Sequence, residues 1–383
     1  MKKILFVNDF ADFGGAEKAL VDLIEGLNRE EFRSSVLLLE EGPLRGKLTE
    51  LGAEVELIKF PEAFLRAPFD LKFRAATRII KLSWRIAWKL REVARFIAAG
   101  HFDIIISNSL KAFVVANLAN RRHDAQHFHY LHYILPDRRG IGTRLVSWFL
   151  SRADCLICNS QATLDQARRH HVTSRNTAIV RQGFDRSMPV VEARGGTHWT
   201  LGSAGRLSPV KNFEFLIDVV ACLKARYPNL RVRIAGEAFT AVDREYEAML
   251  RQHIASRGMQ ETVSFEGFVH DIWKFMDAVD VFVLCSHTES FGRVVAEAMW
   301  SCKPVVVTRV GALSEIVEDG VTGFTVAAGD VSGAARILGR LIEEPEKAAE
   351  LGRSARRFAE ANLSLRSYVT AWRNLLLEFS TKR

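Results

Sequence analysis

Short runs of apolar and β-branched residues alternate with longer amphipathic stretches along the whole chain. A short apolar run bounded by turn residues is typical of a strand that is buried on both faces. Strands that alternate with helices indicate parallel sheets covered by helices on both sides. The predicted strands are residues 4–7, 35–39, 55–58, 104–106, 155–158 and 178–180 in the first half, and 199–202, 231–235, 262–265, 281–284, 304–307 and 323–326 in the second. The sequence therefore predicts an α/β chain with doubly wound, Rossmann-like sheets.

The chain has 383 residues, a length that suggests two domains because a domain averages about 150 residues. Residues 186–198 contain Pro189, Gly195 and Gly196 and show no periodic pattern, so we interpret them as an interdomain linker. This interpretation places the first domain at residues 1–185 and the second at 199–360, with a last helix in the tail 361–383.

The composition excludes several classes of protein. With 48% hydrophobic and 26% charged residues, the chain is neither disordered nor fibrous. Five cysteines spread over this length favour a reducing compartment over a disulfide scaffold. No apolar stretch reaches the ~18 residues of a membrane span, and Asp9 interrupts the first apolar run before the about 7 to 15 residues of a signal-peptide core. We therefore expect a soluble, cytoplasmic protein that starts directly with its fold.

The segment 287–298 follows a predicted strand, opens a helix near Gly292 and carries two glutamates, Glu289 and Glu297. Ligands of doubly wound domains bind beyond the carboxyl ends of the strands, and a helix N-terminus attracts phosphate. Glu297, about one turn into the helix, can accept hydrogen bonds from the vicinal hydroxyls of a ribose, while Glu289 in the loop would reach a sugar. Alternatively, both glutamates only stabilise the start of the helix.

Arg206 and Lys211 follow another predicted strand, five positions apart. A guanidinium and an ammonium at such a place can clamp a diphosphate and stabilise the negative charge on a departing nucleotide. The alternative interpretation is a pair of solvated surface cations.

Gly14 and Gly15 lie between the first predicted strand and the first helix. Adjacent glycines let a ligand approach the backbone closely at a helix N-terminus. The spacing differs from the G-x-G-x-x-G pattern of dinucleotide sites, so it only weakly supports an NAD site. A simple turn is the other interpretation.

Histidines cluster at His127, His129 and His132. If this segment is a strand, the first two share one face, and no cysteine or aspartate lies near them at the spacing of a metal site. We interpret them as ordinary half-buried histidines, whereas His132 falls at the carboxyl end of the strand. Cys155 and Cys158 point to opposite faces of a predicted strand, which favours two buried thiols over a disulfide or a shared metal.

A basic amphipathic helix is predicted within residues 73–97. The net charge of the chain is +8, and residues 66–95 carry nine basic and two acidic residues, nearly the whole excess. A helix that packs through one apolar stripe would leave its tryptophans exposed among these cations. The residues predicted to form this surface are Trp84, Trp88, Arg78, Lys81 and Arg85.

Tryptophan beside arginine and lysine suits anionic lipid headgroups, so we expect this helix to dock on an anionic membrane surface. The alternative is that a second layer of protein covers the tryptophans. Nucleic acid is not expected as a partner, because the sequence contains no nucleic-acid-binding motif.

Together these motifs resemble those of the retaining glycosyltransferase family 4, which has the GT-B fold. The glutamate pair is similar to the family's E-x7-E signature, and residues 204–212 are similar to its G-R-L-x-x-x-K segment. Residues 302–305 and 311–323 resemble its G-x-P-V, G-G-x-x-E-I-V and G-x-x-G pieces. Lys303 follows Cys302 where glycine is usual, and Ala312 replaces the second of two glycines. Neither departure is expected to touch a charged site.

The resemblance implies two Rossmann-like domains that face a central cleft, with the acceptor bound by the first, the donor by the second and the last helix crossing back to the first. It implies catalytic roles for Arg206, Lys211, Glu289 and His132, although Tyr133 stands where the family often has aspartate. Gly14 would lie beside the acceptor. The implied donor-binding residues are Gly15, Gly236, Phe268, Val269, Ser290, Phe291, Gly292, Val294 and Glu297.

The expected activity is therefore retaining transfer of a sugar from a UDP-, GDP- or ADP-linked donor to an acceptor hydroxyl. The expected acceptor is a glycan or lipid-linked molecule of the cell envelope, as in lipopolysaccharide or polysaccharide synthesis, met at the inner face of the plasma membrane. No Asp-x-Asp motif stands beside the cationic clamp, so neither a metal nor another cofactor is expected.

Two other functions remain open. One is a sugar-nucleotide epimerase or a phosphorylase on the same fold. The other is a nucleotide-sugar-binding protein without turnover, which the presence of all four charged residues of the clamp and glutamate pair disfavours.

Overall fold

The computed structural model describes residues 1–12, 14–66, 76–120, 123–135, 141–186 and 198–379, without the side chains of residues 76–83 and 141. The chain divides into two compact units. Unit 1 comprises Met1–Gly183 and Leu365–Arg383, and unit 2 comprises Phe184–Ser364. Most of the predicted linker, residues 187–197, lies outside the described residues.

Unit 1 is built from parallel strands that alternate with helices. Its strands are β1 (Lys2–Asn8), β2 (Phe32–Leu38), β3 (Glu54–Leu57), β4 (Ile104–Ser107), β5 (Gln126–Leu131), β6 (Cys155–Cys158) and β7 (Asn176–Ile179). Its first helices are α1 (Gly15–Gly26), α2 (Pro43–Glu50), α3 (Glu62–Leu65), α4 (Ala76–Gly100), α5 (Leu110–Ala119), α6 (Ile141–Leu150) and α7 (Gln161–Arg169).

The strand order in unit 1 is β3-β2-β1-β4-β5-β6-β7. Starting from β1, the chain adds β2 and β3 on one side of the sheet. After α4 it returns to β1 and adds β4 to β7 on the other side. Because crossovers between parallel strands are right-handed, this reversal puts α1 and α2 on one face of the sheet and α4 to α7 on the other. Ile4 and Phe6 accordingly pack with α1, whereas Leu5 and Val7 pack with α4 and α5. Burial on both faces explains why the strands are uninterrupted apolar runs.

Unit 2 repeats this architecture with a six-stranded parallel sheet in the order β10-β9-β8-β11-β12-β13. The strands are β8 (Thr200–Ala204), β9 (Arg231–Ala235), β10 (Val263–Gly267), β11 (Val281–Leu284), β12 (Val305–Thr308) and β13 (Phe324–Val326). The helices are α8 (Phe213–Lys224), α9 (Ala241–Ser256), α10 (Ile272–Asp277), α11 (Arg293–Trp300), α12 (Leu313–Ile316), α13 (Val331–Glu343) and α14 (Pro345–Asn362), and Pro209–Lys211 is a 3-10 helix.

The last helix, α15 (Leu365–Glu378), belongs to unit 1 although it follows unit 2 in the chain. It lies on the face that α1 covers, where Trp372 is fully buried and its ring centroid is 5.0 Å from that of Tyr130. The hydroxyl of Tyr368 donates a hydrogen bond of 3.1 Å to the carbonyl oxygen of Ala19. Helix α15 thus shields the part of this face that α1 and α2 leave uncovered.

Each predicted strand is present, and the predicted fold class of two Rossmann-like, doubly wound sheets is confirmed. The histidine-bearing segment is a strand, β5. The basic helix is also present as α4, although residues 73–75 of the predicted range lie outside the described residues.

Lys303 corrects one expectation of the sequence analysis. It was expected to lie away from charged sites, yet its side chain is fully buried in unit 2. Burial lowers the pKa of this ammonium to about 8, while the carboxylates of Asp280 and Asp277 act in the opposite direction. The buried ammonium is therefore accommodated by electrostatic attraction from two aspartates, a tertiary arrangement with no signature in the local sequence.

We predict that Trp372→Ala lowers the free energy of unfolding of unit 1 by ~3–5 kcal/mol, because it leaves a cavity under α15. The exposed Thr370 on the same helix provides the control, and Thr370→Ala should leave stability nearly unchanged. Urea unfolding monitored by circular dichroism measures both. Equal stability of the two variants would show that α15 is not part of the cooperative core of unit 1.

Candidate functional site

The strands β8 and β11 are neighbours at the centre of the unit 2 sheet, where the strand order reverses. Loops that follow such strands diverge and leave room for a ligand. The loop after β8 carries Lys211, and the loop after β11 carries Glu289. The Lys211 ammonium forms an ion pair with Oε1 of Glu289, and Ser286 Oγ donates a 2.8 Å hydrogen bond to the same oxygen. The structure thus brings together two residues 78 positions apart in the sequence.

Arg206 lies on the same loop as Lys211 but is paired more loosely. Its Nε is 4.0 Å from Oδ2 of Asp243, and 54% of its side chain is exposed, against 20% for Lys211. The guanidinium can therefore turn toward an anion at little cost. The loop after β8 therefore carries two cations: Lys211, which is fixed in an ion pair, and Arg206, which is accessible to a ligand.

Glycines let these loops approach one another. Gly236, at the end of β9, has φ 149°, and a Cβ there would overlap the carbonyl oxygen of Gly205. Gly311 has φ 50°, and a Cβ there would overlap the carbonyl oxygen of Glu289, which also accepts a 3.0 Å hydrogen bond from the Ala312 amide. The Gly311 loop therefore supports the backbone of Glu289, a role that its sequence motif alone does not reveal.

Helix α11 begins directly after the Glu289 loop. Gly292 precedes it in a left-handed conformation with φ 88°. Ser290 and Val294 are half-buried at this helix N-terminus, where backbone amides lack partners within the helix. The segment has the geometry of an anion site formed by backbone amides.

Two predicted donor-binding residues of this segment are less accessible than the sequence suggested. Glu297 is only 3% exposed, and its Oε1 accepts a 3.0 Å hydrogen bond from Nε of Arg293. Phe291 is 2% exposed and stacks on Phe184, with 6.3 Å between ring centroids. Any contact of Phe291 with a ligand would therefore involve its backbone, and Glu297 would exchange its arginine partner for ligand hydroxyls.

The loops after β9 and β10 are joined through Glu237, which sequence reasoning did not select. Its Oε1 accepts a 3.2 Å hydrogen bond from the amide of Phe268, a residue that is 36% exposed. Val269 packs against the core of unit 2. A carboxylate two residues after a predicted strand end is the signal that could have identified Glu237.

In unit 1 the Gly14–Gly15 loop is fixed by Glu17. The Gly14 amide donates a 3.1 Å hydrogen bond to Oε2 of Glu17, and the side-chain amide of Asn8 lies 3.4 Å from Oε1. Burial raises the pKa of both Glu17 and Asp9, the residue after the end of β1. Only the two glycines of this segment were predicted as site residues, although polar residues directly after an apolar strand are a signal for Asn8 and Asp9 as well.

The three histidines occupy different positions around β5. His127 and His129 are buried, and Nε2 of His127 lies 2.7 Å from the Ser107 hydroxyl. His132 follows the strand, and its ring centroid is 3.8 Å from that of Tyr130. Burial lowers the pKa of each of the three to about 3, so all are neutral at pH 7. Cys155 and Cys158 are free and buried, as the sequence analysis expected.

Trp84 and Trp88 are exposed on α4, by 71% and 51%. Arg85 is exposed beside them, whereas the side chains of Arg78 and Lys81 are not described.

Within the described ranges, no helix is both long and apolar enough to cross a bilayer. The same part of the chain contains no group of three or more histidine, cysteine or carboxylate side chains that could hold a metal ion.

Comparison with known proteins first defines the class. The model for glycosyl transferases group 1 matches residues 186–358, and that for a glycosyl transferase 4-like domain matches residues 14–183. The structure is similar over 99% of its length to all of Anabaena Alr3699/HepE in complex with UDP-glucose, with a TM-score of 0.83 and 27% identity. These findings define a protein of GT-B fold.

The chain belongs to the glycosyl transferase group 1, or GT4-like, family. It is 30% identical to a D-inositol 3-phosphate glycosyltransferase of Streptomyces avermitilis over 68% of its own length and 62% of the relative's. It is 26% identical to the putative glycosyltransferase EpsD of Bacillus subtilis over 79% and 81% of the two chains. The chain spans less than two thirds of the length of the first two curated relatives it matches.

We predict that the stability of unit 1 falls as the pH decreases from 7 to 5. In the unfolded chain each histidine has a pKa of about 6.5 and binds a proton in this range. In the folded chain His127, His129 and His132, each with a pKa of about 3, do not. Because the unfolded state binds more protons, each histidine contributes a slope that approaches about 1.4 kcal/mol per pH unit.

Urea unfolding at a series of pH values measures this slope. His127→Asn should reduce it, whereas His101→Asn, at an exposed histidine with φ 49° that asparagine tolerates, should not. Stability that stays constant between pH 7 and pH 5 would contradict the prediction.

Proposed function

We propose that the protein is a retaining glycosyltransferase that uses a nucleotide diphosphate sugar as donor and binds it in unit 2. The observation that carries this proposal is the contact between Lys211 and Glu289 at the reversal of strand order, beside the accessible Arg206. A cation pair suits a diphosphate, and a neighbouring carboxylate suits sugar hydroxyls.

The ion pair explains how one site can serve both parts of a donor. Without a ligand, Glu289 neutralises Lys211, so neither charge is left uncompensated in a partly buried place. A bound diphosphate would attract Lys211 and the exposed guanidinium of Arg206. Glu289, still held by Ser286, would then be free to accept hydrogen bonds from the sugar.

The same cations would stabilise the leaving group during transfer. The bond between the anomeric carbon and the diphosphate oxygen breaks, and a bond to the acceptor oxygen forms on the same face of the sugar. The acceptor proton passes to the leaving phosphate, so no enzymic nucleophile is required. Negative charge grows on the diphosphate as the bond breaks, and fixed cations lower the barrier because they bind that charge most strongly in the transition state.

We propose UDP as the nucleotide, in preference to GDP or ADP. The proposal is supported by Anabaena Alr3699/HepE, which resembles this chain over its whole length and was crystallised with UDP and with UDP-glucose. Gly236 at the end of β9, and Phe268 and Val269 after β10, are the proposed surroundings of the base. The clamp consists of side-chain cations, so we propose that transfer does not depend on a metal ion.

We propose that unit 1 binds the acceptor, a glycan or lipid-linked molecule of the cell envelope, near Gly14 and His132. Buried side chains that can accept hydrogen bonds, such as that of Glu17, lie close to the carboxyl ends of the strands, where ligands of doubly wound sheets bind. His132 is neutral at pH 7, so it can exchange hydrogen bonds with a sugar without adding charge. The proposed place of action is the cytoplasmic face of the plasma membrane.

We predict that Lys211→Ala and Arg206→Ala each weaken UDP binding about 10- to 100-fold, the value of one charged hydrogen bond. They should also lower kcat about 10²- to 10³-fold through loss of leaving-group stabilisation. Isothermal titration calorimetry measures the affinity, and UDP release from UDP-glucose with a panel of acceptors measures turnover. Lys274→Ala, at a 79% exposed lysine of α10, is the control. Wild-type affinity and turnover in both clamp variants would refute the assignment.

We predict that UDP raises the melting temperature more than GDP or ADP does, and equally with or without EDTA. A ligand present at 100 times its Kd stabilises the folded state by about 2.7 kcal/mol. A larger shift with GDP or ADP would reject the proposed base, and loss of the UDP shift in EDTA would reject metal independence. Conversion of UDP-glucose without any acceptor would instead indicate an epimerase.

A further inference from the structure

Helix α4 is not the only element of unit 1 that exposes large apolar side chains. Leu145 and Trp148 of α6 are 52% and 49% exposed, and the sequence analysis did not single them out. The Arg152 guanidinium lies 4.3 Å from the centroid of the Trp148 ring. A second exposed group of aromatic, aliphatic and basic side chains therefore exists on the same unit as Trp84 and Trp88.

The two groups belong to one layer of the fold. Helix α5 packs with Val93 and Ile97 of α4 in one core cluster and with Leu150 of α6 in another. Helices α4 and α6 thus flank α5 on the same face of the sheet. Since packed helices lie about 8–10 Å apart, the axes of α4 and α6 are separated by roughly 20 Å.

On both helices the exposed stripe points away from the sheet. With about 100° per residue, the stripe of α4 lies roughly opposite the buried Val93 and Ile97, and that of α6 lies roughly opposite the buried Leu150. Trp84 and Trp88 stack within their stripe, with 6.2 Å between ring centroids. The two stripes consist of Trp84, Trp88, Arg91 and Arg95 on α4, and of Leu145, Trp148 and Arg152 on α6 and the turn after it.

The positive charge of this surface indicates the chemistry of its partner. Residues 84–100 and 141–153 contain six cations and one carboxylate. That carboxylate, Glu92, accepts a 2.6 Å hydrogen bond from Lys89, which leaves five arginines without an acid on these segments. A two-fold contact with a second copy would place arginines against arginines, which is unfavourable. An anionic surface that also accepts indole rings has the complementary chemistry.

We propose that the outward stripes of α4 and α6 form one docking surface for an anionic lipid bilayer, with Trp84, Trp88, Leu145 and Trp148 inserted among the headgroups. The arginines contact lipid phosphates, and the aromatic rings lie in the interface, where indole is most favourable. The two stripes are separated by roughly 20 Å, so their joint contact fixes the orientation of unit 1 on the membrane. A single helix would allow unit 1 to rotate about the axis of that helix.

This inference deepens the proposed function, because a lipid-linked acceptor would be met at this surface, but docking itself requires no sugar transfer. Flotation of the full chain with vesicles tests it. Wild type is expected to float with vesicles of phosphatidylglycerol and phosphatidylcholine, to stay unbound with phosphatidylcholine alone and to dissociate at high salt, which screens the arginines. Trp84→Ala with Trp88→Ala, and separately Trp148→Ala, should each reduce binding about tenfold.

The control removes comparable exposed apolar side chains from unit 2. Phe239→Ala with Val242→Ala, at residues 53% and 60% exposed, should bind vesicles as wild type does. Melting temperatures verify that every variant is folded. UDP binding and turnover measured without vesicles report on the proposed function separately, since none of these substitutions touches the clamp.

Three results would overturn the proposal. Failure of wild type to bind anionic vesicles at low salt would remove the docking surface. Wild-type binding by Trp148→Ala would remove α6 from it. If light scattering showed a dimer for wild type and a monomer for the variant with Trp84→Ala and Trp88→Ala, the surface would bind a second copy of the chain instead. Vesicle binding without any sugar transfer would leave docking intact and reject the proposed function.

Discussion

The ion pair between Lys211 and Glu289 is the contact on which the site in unit 2 depends. It joins the loops after β8 and β11, and Ser286 fixes the orientation of the carboxylate. Two opposite charges in a partly buried place compensate each other until a ligand brings charges of its own. The pair therefore keeps both side chains at the reversal of strand order, where the proposed diphosphate and sugar would bind.

The backbone around this pair is as specific as the side chains. Gly236 and Gly311 allow approaches to Gly205 and Glu289 that any Cβ would prevent. Unit 1 shows a different arrangement, because its polar edge contains Glu17 and Asp9, whose pKa values are raised by burial, and His132, which is neutral at pH 7. Unit 2 thus presents an ion pair beside an accessible arginine, and unit 1 presents carboxyl groups whose charged form is disfavoured by burial, next to a neutral imidazole.

Much of the fold could be predicted because parallel strands buried on both faces leave a strong apolar signal. The runs at residues 4–7 and 281–284 lie within β1 and β11, and the stripe of α4 follows helical spacing. Burial could not be predicted for Glu297 or Phe291, although Arg293, which pairs with Glu297, lies only one helical turn away. The burial of Glu297 and the stacking of Phe291 on Phe184 are fixed only by packing. Lys303 was misjudged for the same reason.

The sequence by itself determined the number and kind of the sheets, the order of the motifs along the chain and which residues follow the strand ends. Local spacing is sufficient for these features, because strand and helix periods act over a few residues. Only the tertiary structure decided that Lys211 meets Glu289, that α15 completes the core of unit 1, and that α4 and α6 expose their tryptophans on one side. These features depend on contacts between residues far apart in the chain, which strand order and crossover handedness bring together.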